Sequence, residues 1–242
     1  MIGKTEGIVL HSLKYGENSL IVRVFTREMG MQSYLVRGNR KSRSGSGHNL
    51  YQPLTLVHMV VYHKEGREGL HYIREVSCSQ PYQSLPYDIS KTTVGLFLAE
   101  VLTYVLKNQD VSQPIFSFIK DSLLFLDQTE GRIADFHLLF MHKLSGYLGF
   151  YPRDNYDRTH CFFNMQEGMY QQKPDSTGSC LDATTSRHFH ALSGLEYNTL
   201  EQSAIPKAHR KALLNHMIDY YRYHLEGLQE IRSHTVLETV LL

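Results

Sequence analysis

Two hydrophobic periods divide the chain. Up to about residue 80, apolar positions alternate or fall in short runs: GIVLHS at 7–12, SLIVRVFT at 19–26, MQSYLVR at 31–37, LTLVHMVVYH at 54–63 and LHYIREV at 70–76. Alternation places successive side chains on opposite faces of a strand, as with Leu20, Val22 and Val24 in the second run. Turn residues separate the runs: LKYGEN after the first, Met29-Gly30 after the second, EGREG at 65–69 before the last. Five strands, short turns and one longer loop at 38–50 predict a small closed or nearly closed barrel.

After Pro81 and Pro86 the period lengthens. Val94, Phe97, Leu98, Val101, Leu102 and Val105 follow helical spacing and end near Asn108. Ile115 to Leu126 predicts a second helix, apolar on more than one side. Ile133, Phe136, Phe140, Leu144, Tyr147 and Leu148 predict a third, stopped by Gly149 and Pro152. A loop-rich stretch follows over 150–182, then a short helix over 183–193. Pro206 reads as the first residue of a long helix through Leu225, with Leu214, Met217, Ile218, Tyr221 and Leu225 on its buried stripe. The expected organisation is α+β: a β-barrel domain over 1–80 and an α-helical domain over 81–242 that carries the 150–182 insertion.

Composition changes this picture little until charge is divided along the chain. The 242 residues carry a net charge of +1, yet residues 1–80 hold 11 Lys+Arg against 6 Asp+Glu, and residues 81–242 hold 14 against 18. A basic barrel joined to an acidic helical part fits a protein whose first domain meets a polyanion. No apolar run is long enough to span a membrane, and the first residues do not form a signal peptide. Three cysteines are too few for a disulfide framework, so a reducing cytoplasm is expected.

Motifs for catalysis are missing. No Walker loop, dinucleotide fingerprint, nucleophile elbow or HExxH occurs, and no acid or cysteine is spaced to complete a site with His188 and His190. An enzyme is not expected. The basic segment RGNRKSRSGSGHN (37–49) stands out instead. Its Arg37, Arg40, Lys41 and Arg43, joined by Arg23 and Arg27 on the second strand, can neutralise phosphates. Tyr34 and Tyr51 flank the segment and could stack on bases. A solvated loop and an anion-binding arm both fit these residues. A protein–protein adaptor that meets nucleic acid only through partners, or an RNA-binding barrel, fits them as well.

The run from GIVLHSLKYGENSLIVRVFTREMG to YLVRGNRKSRS and LYQPL, followed by LSGYLGFYP (144–152) and a cysteine-bearing stretch, resembles the bacterial RecO family. The resemblance implies an amino-terminal OB barrel, a helical domain and an inserted zinc-type module. It implies recombinational DNA repair without ATP. Such proteins bind single- and double-stranded DNA, anneal complementary strands and, with RecR and in some cases RecF, load recombinase on DNA coated by single-strand-binding protein, whose C-terminal tail they also contact. It would make the protein a bacterial nucleoid component.

The chain departs from the family where two C-x-x-C pairs would hold structural zinc. The first position reads Cys161-Phe-Phe-Asn164 and the second Cys180-Leu-Asp-Ala183, so each pair keeps one sulfur. A closed zinc site needs four N or S ligands, and no zinc or other cofactor is expected, although His160 or His188 could in principle substitute. Packing of Phe162, Phe163 and Tyr170 is expected to hold the module instead. Lys207, Arg210 and Lys211 open the long helix and are candidates for a second DNA contact; a partner's acidic tail or an ordinary exposed helix start fits them equally.

Overall fold

A computed structural model describes residues 2–37, 49–62, 69–107, 109, 111–203 and 205–241. Strands β1 (Ile2–Tyr15), β2 (Ser19–Thr26), β3 (Gly30–Arg37), β4 (Leu56–Tyr62) and β5 (Leu70–Cys78) close a barrel in the order β1-β2-β3-β5-β4. Neighbours are antiparallel except β3 and β5, which run parallel, and this is the OB arrangement. The helices follow, so the α+β expectation of a five-stranded barrel and a helical region holds.

β1 is longer than the apolar run at 7–12 because it serves two neighbours. It pairs with β4 from Ile2 to Ile8 and with β2 from Gly7 to Tyr15, and a bulge between Val9 and His11 turns it from one to the other. Gly7 lies where the wall is tightest: a Cβ there would sit 2.5 Å from Val24 Cγ1. Val9, Val22, Val24, Tyr34, Val57, Met59 and Val61 fill the interior, with Tyr51 against them.

Two compact units result, Met1–Gln128 and Thr129–Leu242. The change of period near residue 80 marks the end of the barrel, but helices α1 (Ile89–Val105) and α2 (Gln113–Gln128) belong to the same unit as the strands. Two polar braces tie them in. Glu6 on β1 binds Lys120 of α2 at 2.8 Å. Asp127, at the end of α2, accepts from the backbone N–H groups of Gln83, Ser84 and Leu85, the last at 2.7 Å. Burial works to raise the Asp127 carboxyl, but these donors and Lys91 hold it below its ordinary value. Asp88 starts α1 by accepting from the N–H of Ser90 and Lys91.

The second unit contains α3 (Phe136–Tyr147), β6 (Phe162–Asn164), β7 (Met169–Gln171), α4 (Ala183–Ala191), α5 (Lys207–His224) and α6 (His234–Leu241). Pro206 caps α5 and is not its first residue. The stretch expected to be loop-rich carries the β6–β7 hairpin and a bridge from Asn164 to Cys180. Its Phe163 stacks on Phe189 at 4.4 Å and meets Tyr220 at 5.4 Å, so the insertion shares one core with α4 and α5. Phe163 and Tyr170 are buried as expected, whereas Phe162 is half-exposed.

His137 and His142 lie on α3 inside this core. Burial lowers both from 6.5 to about 3, with Lys143 and His190 adding to the effect on His142. Below pH 6.5 the unfolded chain takes up protons that the folded chain refuses. The stability these neutral rings confer is therefore complete above pH 6.5 and is lost progressively down to about pH 3. Between pH 7 and pH 5 the expected loss is about 2 kcal/mol per histidine, from 1.36 kcal/mol per pK unit. Urea unfolding at the two pH values measures it, and an unchanged midpoint would show that both rings titrate freely.

Candidate nucleic-acid interface

Cross-strand partners in a sheet share a face, and the barrel register aligns six apolar residues on the outer face of the wall. Leu13 pairs with Ile21, Ile21 with Leu35, Leu35 with Tyr72, Tyr72 with Tyr62 and Tyr62 with Ile2. The row crosses all five strands. Leu13, Ile2, Tyr62 and Tyr72 are exposed, at 56%, 52%, 48% and 45%, while Ile21 and Leu35 are half-buried. Exposed aromatics so aligned on a barrel wall give flat surfaces where bases can stack.

Cations border the row. Arg37, the last residue of β3, holds its guanidinium 5.7 Å from the centre of the Tyr72 ring. Arg23 stands exposed on β2 between His11 and Ser33. Partial burial, then the charge of Arg23, lowers the His11 pKa below its ordinary value, so this border carries the arginine's charge at neutral pH. The row starts at Leu13, near the end of β1 that turns into β2, passes the last residues of β3 and β4, and winds round the barrel to Ile2, the first residue of β1. Arg40, Lys41 and Arg43 follow Arg37 by three, four and six residues and lie outside the described residues.

Three of the residues expected at the site have other duties. Tyr34 is 1% exposed and Tyr51 8%, both in the barrel core, and burial pushes both hydroxyls to higher pKa. Neither presents a ring face to a base. Tyr34 sits on the inward side because the period-two register that turns Leu35 outward turns its neighbour in. Arg27 binds Glu6 at 3.1 Å and lies 5.1 Å over Phe116, holding α2 to the barrel. Tyr62 and Tyr72 were missed because each sits in a run read only for its apolar core. Their outward parity was the available signal.

Residues 1–82 match the family described as Recombination protein O N terminal, and residues 86–233 match Recombination protein O C terminal. The chain belongs to the recombination protein O family. Proteins named DNA repair protein RecO share 34% identity with it in Flavobacterium psychrophilum and 32% in Phocaeicola vulgatus, each over 238 residues that cover 98% of both chains. Membership supports a role in DNA repair by recombination. Among the described residues, no helix is long and apolar enough to cross a membrane.

In the second unit the three candidate cations part company. Lys207 is exposed at the start of α5, and Lys211 is exposed while pairing with Glu238 of α6 at 2.9 Å. Arg210 turns inward. Its Nε lies 2.7 Å from Asp135 Oδ1, a second nitrogen donates to the Ile205 carbonyl at 3.1 Å, and the side chain is 8% exposed. One helical turn thus divides the three basic residues between surface and core.

The four positions of the family's zinc pairs do not offer a zinc donor set. Ala183 has no donor atom. Both ends of the Asn164 amide are engaged, since Oδ1 accepts from Gln166 N–H at 2.9 Å and Nδ2 donates to Asp175 at 3.0 Å. Cys180 Sγ accepts from the Asp175 N–H at 3.4 Å, and burial pushes its thiol up in pKa, away from the thiolate a metal requires. Cys161 remains as a single sulfur. The suggested substitutes are engaged too, His160 with Asp157 at 3.0 Å and His188 against His209.

Proposed function

We propose that this chain is a non-catalytic mediator of recombinational repair that binds single-stranded DNA on the outer wall of its barrel and anneals complementary strands. The observation that carries the reading is the row Leu13–Ile21–Leu35–Tyr72–Tyr62–Ile2 with Arg23 and Arg37 at its borders. Stacking holds bases by their faces and leaves hydrogen-bonding edges available to a complement. Cations at the borders draw in phosphates whatever the sequence. Together these suit annealing better than duplex readout, which needs side chains directed at base edges in a groove. Family membership supports the wider role: acting with RecR, and in some cases RecF, on DNA coated by single-strand-binding protein, in the bacterial cytoplasm. Double-stranded DNA would be held through phosphates alone.

The test is strand annealing by the purified chain without ATP. A fluorophore on one oligonucleotide is quenched by its complement, first bare and then coated with single-strand-binding protein. Faster quenching in both states is expected. No acceleration by a folded chain would sink the reading and favour an adaptor that reaches DNA through partners.

A further inference from the structure

We propose that a hydrogen-bonded knot centred on Asn164 and Asp175 takes the place of a metal in the 150–182 module, so that the module folds with no ion bound. An ion in such a module would cross-link the first strand to the segment that returns past the hairpin. Here side chains make that link. Asn164 Oδ1 accepts from the N–H groups of Gln166 and Glu167 at 2.9 and 3.0 Å, shaping the turn out of β6. Its Nδ2 donates to Asp175 Oδ2, which also accepts from Thr177 Oγ1 at 2.8 Å and from Ser179 Oγ. One carboxylate oxygen thus gathers donors from three positions, and the Asp175 N–H is directed to Cys180 Sγ.

Backbone bonds close the knot on the strand. Met165 N–H donates to Ser179 O at 3.0 Å and Leu181 N–H to Phe163 O at 2.8 Å. Asn164 and Ser179 are 4% and 1% exposed, so these polar groups are satisfied inside the fold, where an unmade bond would be costly. Side-chain bonds from Ser179 and Thr177 hold the Asp175 carboxyl below its ordinary pKa, which keeps the acceptor charged at neutral pH. The knot matters beyond the module. The Met165 carbonyl accepts from His224 Nε2 at 2.9 Å, and Phe163 packs on Tyr220, so α5 rests on it.

The full chain tests this directly. Metal content is measured on the chain as purified, with zinc supplied and before any chelator is added, and thermal unfolding is followed in zinc and in EDTA. Well under one zinc per chain and the same Tm in both are expected. Asn164→Ala should lower Tm and remove hydrogen-exchange protection at the amides of Gln166 and Glu167. Thr177→Val, which removes one of three donors and spares the fold, should give a smaller fall in Tm. About one zinc per chain with a Tm that drops in EDTA would overturn the proposal. So would substitutions that leave Tm and both amides as they are in the native chain.

Discussion

Replacing Tyr62 and Tyr72 together by alanine is expected to weaken single-strand binding by about 2–6 kcal/mol, at least about 30-fold in Kd, because each stacked base contributes about 1–3 kcal/mol. Both side chains are about half exposed on the outer wall, outside the interior cluster, so the variant should keep its Tm within a few degrees. The salt dependence should hardly change, since no cation is removed. The companion variant behaves oppositely. Arg23→Gln with Arg37→Gln should flatten the slope of log K against log salt by about 1.4, at about 0.7 for each phosphate contact on a single strand. Fluorescence anisotropy of a labelled oligonucleotide over a range of salt measures both. Equal slopes in all three proteins with unchanged Kd would remove the row from the interface. A loss of affinity in the tyrosine variant accompanied by a flatter slope would show that its effect runs through Arg37, whose guanidinium lies over Tyr72.

How much of this was legible beforehand follows from which signal each feature leaves. The barrel was readable because strands that bury one face write period two into the sequence, and five such runs with short turns have few ways to close. The row on its outside was not. Leu13, Ile21, Leu35, Tyr72, Tyr62 and Ile2 come from five strands, and only the register of every pair brings them into line. Tyr34 and Tyr51 were misplaced for a related reason. Nearness in sequence to a basic segment says nothing about parity, and parity directs Tyr34 to the core. The knot in the insertion was invisible because Asn164, Asp175, Thr177 and Ser179 carry no periodic signal and read as loop residues. Helix α6 was missed through its brevity: eight residues with Leu237 alone fully buried give no stripe to detect.

Arg210 yields the second large effect, and it separates a structural role from a nucleic-acid role. Its guanidinium and the Asp135 carboxylate form an ion pair in which the side chains are 8% and 1% exposed. Removing one partner of such a pair leaves a buried charge, and Arg210→Ala is expected to cost about 3–5 kcal/mol. Burial already raises the Asp135 carboxyl against the opposing pull of Ser203 and Arg132. Loss of Arg210 removes a further cation and raises it more. A raised acid binds its proton more tightly in the folded state than in the unfolded one, so protonation as pH falls relieves the variant. The deficit relative to the native chain should therefore be largest at neutral pH and narrow towards pH 5. Denaturant unfolding of both proteins across that range measures it. Arg210→Met with Asp135→Leu replaces both charges by apolar groups and should recover most of the loss. A DNA-contacting arginine would behave otherwise: Arg210→Ala would leave Tm unchanged at every pH and flatten the salt slope of binding. The 2.7 Å separation from Asp135 and the bond to the Ile205 carbonyl argue for the first outcome; of the three basic residues that open this helix, Lys207 and Lys211 are the exposed ones.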